Sequence, residues 1–349
     1  MTTEFALGAE TEARESWVAM TALALGQALL SYNVASLPVA LAGMVVSFGV
    51  PPTTVATGVV MYSLGVAGFV MLGAKLNERF GALSVFRTGV RLFGVGQVLM
   101  TFSPTANVML FAQLLCGLAG AAELVPSLVA LIPENYRGVQ QPTALGALGS
   151  APAAASPAAF LIGGVLGTYL GWRTGFGILI VLSAIVLFLS FRLKPHHGRP
   201  EVSIDIVGVV LAAAAVILIS IGFSNLNRWG LGVARPAAPF DIFGLSPTLP
   251  MIVLGVALGQ AFLGWTRRRQ QAAGQTPLLA LEVIESREER AAVYAMFSVI
   301  ALVAALYFMM PLYLQIVQGR TPLDTAIAMM PFNLTVFFAA MLIVRGSTR

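Results

Sequence analysis

The chain repeats one pattern from end to end: predominantly apolar stretches of about 20 residues, the length a helix needs to cross a bilayer, separated by short polar breaks. The stretches run Trp17 to Val46, Val55 to Ala74, Ser84 to Phe102, Val108 to Leu131, Ala144 to Leu166, Trp172 to Phe191, Ile206 to Phe223, Leu249 to Trp265, Ala292 to Leu314 and Leu323 to Val344. They are too long and too uniformly apolar for the alternating strands of a barrel. Composition agrees, with 58% hydrophobic and only 10% charged residues, where a soluble domain carries about a quarter charged. The expected fold class is all-α, a polytopic membrane protein with about ten transmembrane helices.

Basic residues set the orientation, because they accumulate in loops that stay in the cytoplasm. With the N-terminus inside, sixteen of the twenty Lys and Arg residues fall on the cytoplasmic side, and only Arg173, Arg228, Arg235 and Arg320 lie outside. Arg87 and Arg91 are counted inside because they can snorkel from the first turns of the third span. Both termini are then cytoplasmic, and the expected location is the cell membrane. This loop bias accounts for the net charge of +5 without a nucleic-acid partner.

Other classes of function find little support in the residues. The first sixteen residues carry Glu4, Glu10, Glu12 and Glu15 against Arg14, opposite to a cleavable signal, so the first span is expected to stay as an anchor. Cys116 is the one cysteine, which rules out an intramolecular disulfide. The adjacent His196 and His197 are two ligands short of a metal site. No cluster of nucleophile, base and metal ligands stands out, so neither an enzyme nor a cofactor is expected.

Gly73-Ala74-Lys75-Leu76-Asn77-Glu78-Arg79-Phe80-Gly81, between the second and third spans, resembles the signature loop of the major facilitator superfamily. In that loop a glycine precedes an acidic-basic pair and a second glycine. Glycines permit the tight turn, and the Glu78 carboxylate can engage a helix N-terminus or an arginine as a cytoplasmic gating device. A snorkelling basic loop is the plainer reading. Ala112 to Gly117, with Gln113, is similar to the family's fourth-helix segment, and Pro133 to Gly138 to the following loop. Ser156-Pro157 through Gly163-Gly164, then Gly171-Trp172-Arg173, resembles the fifth-helix antiporter motif and the turn after it. Asp205 to Gly208, and Pro311-Leu312-Tyr313-Leu314-Gln315 through Gly319, resemble the 14-helix drug:proton antiporter branch.

The resemblance implies a six-helix N-terminal bundle over 17–191 after a cytoplasmic tail at 1–16. Two linker helices follow in 192–270, then the first two helices of an incomplete second bundle at 271–349. A complete member of that branch has about fourteen helices, so the chain looks truncated. The implied activity is transmembrane transport, multidrug or amphiphile efflux by alternating access, with a small lipophilic or amphiphilic substrate and possible coupling to protons. A degenerate, non-transporting membrane protein or partner-binding scaffold is the alternative.

Departures from the pattern bear on the coupling. Asn33 to Pro38 follows the first-helix motif, yet Leu29 stands where the family has aspartate and Gln113 where it has arginine. Ala159-Phe160 replaces Gly-Pro, and Ala82-Leu83 replaces a basic pair. Glu123 is the one carboxylate deep inside a span, and an intramembrane charge is a functional candidate by default. At helical spacing it shares a stripe with Gln113, Cys116 and Gly120, which the resemblance places beside the central cavity. It either serves transport or pairs with Arg91 at a similar depth. The small residues and prolines of the fifth span serve either close packing or a rocking hinge.

Orientation is directly testable. Cysteines introduced at Arg199 and Arg268 should react with an impermeant thiol reagent only from the cytoplasmic side, and one at Arg235 only from outside; the reverse pattern overturns this topology.

Overall fold

The computed structural model describes residues 16–120, 125–138, 140–195, 198–241, 243–271 and 286–347. Eleven α-helices follow in order: α1 (Val18–Phe48), α2 (Pro52–Phe80), α3 (Ala82–Thr101), α4 (Ala106–Ala119), α5 (Val125–Asn135), α6 (Gln140–Tyr169), α7 (Trp172–Leu189), α8 (Ile206–Trp229), α9 (Thr248–Gln271), α10 (Arg287–Leu312) and α11 (Pro322–Ser347). A π turn at Tyr313–Val317 extends α10. Among the described residues, extended pairing is confined to one bridge, Val233 with Leu245.

Each apolar stretch in the sequence corresponds to one helix, except that α4 and α5 together occupy the fourth. Among the described residues, seven helices, α1, α2 and α6 through α10, are long and apolar enough to cross a membrane by length and composition alone. Two that fall short have visible reasons: α3 carries Arg87 and Arg91, and α4 has 14 residues.

The N-terminal unit, α1 through α7, is built around α1. That helix packs against α6 and α7 most extensively, then α2, and also meets α10, α5 and α11. A helix apolar on all sides is expected to be surrounded, and α1 buries Leu23, Leu29, Leu37, Leu41 and Met44 completely or nearly so. Close approach elsewhere depends on glycine. A Cβ on Gly65 of α2 would lie 2.6 Å from the Leu118 nitrogen, and one on Gly117 of α4 would meet the Tyr62 carbonyl oxygen. The α2–α4 crossing is therefore backbone against backbone, which small residues make possible in a bilayer.

Polar clips close both ends of this unit. At the end where α1 stops, the Arg173 guanidinium donates to Ser47 Oγ (2.9 Å) and the Ser103 carbonyl (2.8 Å) while stacking over Trp172 at 4.3 Å. At the other end Arg87 donates to the side chain and carbonyl of Ser190 (3.2 and 3.0 Å) and lies 4.6 Å above the Phe191 ring. Helices α8 and α9 form a hairpin that leans on α2. Asp205 joins its base, accepting from Gly208 N (3.0 Å) and Trp265 Nε1 (3.0 Å) and pairing with Arg269 at 3.2 Å. Finally, α11 packs closely on α6. The arrangement is a bundle of α1 through α7, in which α4 and α5 share the place of one apolar stretch, joined by the α8–α9 hairpin and by α10 and α11.

The glycine crossing predicts a stability difference. Gly117→Ala should destabilise the protein by about 1–3 kcal/mol through overpacking, read as a lower thermal unfolding midpoint in detergent. Gly146→Ala, at a position with open space around it, should leave the midpoint unchanged or slightly raised.

Candidate functional site

Among the described residues, two polar regions within the helices bear on a site, one closed and one open. The closed region joins α1, α3 and α4. Asn33 Nδ2 donates to Gln113 Oε1 at 3.2 Å, and Gln97 Nε2 donates to Asn33 Oδ1 at 2.9 Å and to Cys116 Sγ at 3.3 Å. Gln113 Nε2 points at Met100 Sδ, 3.5 Å away. All four polar side chains are buried. Amides buried in an apolar bundle are costly unless bonded to one another, and here each supplies a partner for the next. The network has no ionised member.

The open region is a cavity of about 450 Å³ bounded by α1, α2, α6 and α10. Its walls are mostly aliphatic, from Leu30, Val34, Val59, Val66, Ile300 and Val303, interrupted by the polar atoms of Gln27, Ser31, Ser63 and Ser156. Tyr307 stands at its edge. Its ring packs against Phe160 of α6 and Phe332 of α11, with centroids 5.7 and 5.3 Å apart, and its hydroxyl donates to Asn333 Oδ1. Size, apolar walls and a few polar groups are what a drug-sized amphiphile requires of a site.

The structure divides the residues singled out from the sequence. Asn33 and Gln113 meet, but in the closed network rather than on the cavity wall. Arg91 is exposed between α3 and α7, beside Gly94, Val95, Ser183 and Leu187. Phe93, Gln97 and Met100 share the opposite, buried face of α3. Glu123 lies outside the described residues, as do His196 and His197.

In the signature loop Gly73 is buried, and Gly81, at φ 85°, ends α2 and starts α3. Lys75 Nζ pairs with Glu78 at 2.9 Å, while the Glu78 carbonyl accepts from Arg199 N at 2.7 Å. The Arg79 guanidinium lies 5.6 Å from the Phe80 ring centroid. A Cβ on Gly198 would collide with the Arg79 carbonyl oxygen, so the loop after α7 runs directly across this turn. In α6, Pro157 is half-buried and lies within a continuous helix. Gly163 faces Val39, and a Cβ on Gly164 would lie 2.7 Å from Ala326 Cβ of α11.

Gln97 and the cavity's Gln27, Ser31 and Ser63 escaped the sequence reading. Gln97 was legible in principle as an amide inside an apolar span, a residue type that needs a partner there. Ser156 was visible only as part of a motif. Neither pattern says which way the side chain faces.

The family model of the Major Facilitator Superfamily matches residues 23–349. The multidrug efflux pump LfrA of Mycolicibacterium smegmatis is 26% identical over 337 residues, covering 96% of this chain and 63% of that protein. The lincomycin resistance protein of Streptomyces lincolnensis is 25% identical over 339 residues, covering 95% and 65%. The chain thus spans less than two thirds of the length of either. Among solved structures, a peptide transporter POT in complex with sulfate superposes with a TM-score of 0.60 at 15% identity, covering 95% of this chain and 69% of that one.

The amide network predicts a specific pattern of loss. Gln113→Leu strands the Asn33 amide hydrogen and should cost about 1–3 kcal/mol, whereas Asn33→Leu combined with Gln113→Leu should cost less than the sum of the two single changes. Additive losses in thermal unfolding would show that the network does not couple these residues.

Proposed function

Because the chain belongs to the major facilitator superfamily, we propose that it exports small amphiphilic molecules across the cell membrane by alternating access, with both termini in the cytoplasm. The observation that carries this reading is the cavity between α1, α2, α6 and α10, placed where the N-terminal unit meets α10. Its aliphatic walls would bind the apolar body of a substrate, and Gln27, Ser31, Ser63 and Ser156 would satisfy a few polar groups without demanding a charge. The names of the relatives, an efflux pump and an antibiotic resistance protein, fit the same class of substrate.

Proton coupling would have to arise outside the closed network, whose amides and thiol exchange hydrogen bonds rather than charge. Glu123 is the residue proposed to carry it, as the carboxylate set deepest in an apolar span of the sequence. Lys75, Glu78, Arg79 and the strap through Gly198 and Arg199 would order the cytoplasmic turn between α2 and α3.

The test is efflux of a lipophilic dye such as ethidium from liposomes holding the full-length protein, with a pH gradient imposed. Saturable flux in the parent should be abolished by Ala304→Trp, which fills the cavity from α10, and should lose its dependence on the gradient in Glu123→Gln. Flux insensitive to Ala304→Trp removes the cavity from the pathway; gradient-driven flux in Glu123→Gln removes that residue from coupling. A parent without saturable flux would favour the scaffold reading.

A further inference from the structure

The two units touch through one unusual contact. Pro38 lies inside α1 and has no N–H to give the carbonyl one turn earlier, so the helix is already interrupted there. At the next turn, Gln315 reaches in from the π turn after α10: its Nε2 donates to the Pro38 carbonyl at 3.0 Å, and its Oε1 accepts from the Ala42 N–H at 3.3 Å. Residues 38 and 42 are the i and i+4 partners of α1's own ladder. A single side-chain amide therefore engages both groups of one main-chain hydrogen-bonding pair, and it is buried in doing so. The π turn fits this use, since such turns re-aim side chains and recur at functional positions.

The surrounding contacts lie at the same end of the molecule. Arg320 N donates to the Leu314 carbonyl at 3.0 Å, Leu323 N donates to Thr168 Oγ1 at 3.1 Å, and Gly164 abuts the backbone of α11 at Pro322 and Leu323. In the other half of α10, Val293, Phe297 and Ile300 are exposed. The cavity thus has a tight seam on the side where α1 ends, and Gln315 is the part of that seam bonded to α1.

We propose that Gln315 is a reversible latch that holds the cavity shut on the Phe48 side of α1, and that opens by withdrawing its amide from the Pro38 carbonyl and the Ala42 N–H, which α1's own ladder continues to serve. Release leaves neither α1 group stranded, because each is the other's ordinary helical partner. The freed glutamine amide becomes available to water or to cavity contents. A latch between two side chains would leave both unpartnered on opening; this one leaves behind two main-chain groups that already face each other in α1.

The proposal rests on the alternating-access reading, and its test separates the two. In the full-length protein with Cys116→Ala, Ser31→Cys reports access to the cavity through an impermeant thiol reagent applied from the Phe48 side. Gln315→Leu should raise that labelling rate by about tenfold or more, as expected when two hydrogen bonds favouring one state are removed. Gln318→Leu, an exposed neighbour, should not change it. If Gln315→Leu does not fold, Gln315→Met provides the same measurement, because a thioether of similar length offers Pro38 no donor and Ala42 only a weak acceptor. An unchanged labelling rate in the folded variant, or an equal rise in Gln318→Leu, overturns the latch. Absence of dye flux in the parent with the labelling shift intact would sink the transport reading and leave the latch standing.

Discussion

The architecture depends on one helix being wanted on every side. In water, burying α1 would follow from its apolarity, but lipid tails are as apolar as leucine and give no such preference. What holds α1 at the centre is contact geometry. A Cβ on Gly26 would come within 3.2 Å of Phe86, and one on Gly43 within 3.1 Å of Trp172, so aromatic rings sit directly on the helix backbone. Asn33 then binds α3 and α4 on one flank, and the Pro38 turn receives Gln315 near the far end. Displacing α1 would disturb packing and hydrogen bonding with most of the other helices at once.

The loops reinforce the same economy of contacts. Among the described residues, Lys75 pairs with Glu78 within α2, and Arg269 with Asp205 joins the end of α9 to the start of α8. Between them, backbone groups carry much of the joining: Arg199 N on the Glu78 carbonyl, Lys194 N on Asn135 Oδ1, and Met20 N on the Tyr136 hydroxyl. Tyr136 also donates to the Ser16 carbonyl at 3.0 Å and stacks near Trp17, which anchors the beginning of α1 to the segment after α5. Main-chain donors and acceptors at helix ends need partners in any case, and here their partners are other loops.

What could be read from the sequence was the order and approximate length of the helices, though not that α4 and α5 would share the fourth stretch, because unbroken apolar length is itself the signal. The turns at Gly81 and Gly171 and the close approach at Gly164 were also legible, each as part of a motif. Azimuth was not. A helix apolar around its whole circumference, such as α1, has no face that periodicity can detect, so nothing in the sequence showed that Asn33 would meet Gln97. The Gln315 contact was hidden for a different reason. Its partners are main-chain atoms 277 and 273 residues away, and no side-chain pattern records where a backbone will be offered.

The network of Asn33, Gln97, Gln113 and Cys116 has an electrical consequence. Carrying one elementary charge across a membrane potential involves about 2.3 kcal/mol per 100 mV, so an ionised residue that shifts depth with a moving helix does work against the field. Amide dipoles have no net charge to displace. If α1, α3 and α4 reorient together, this part of their interface contributes no gating charge, and its equilibrium position is indifferent to voltage. Whatever drives such a movement must couple to the field, or to an ion gradient, at another place in the protein.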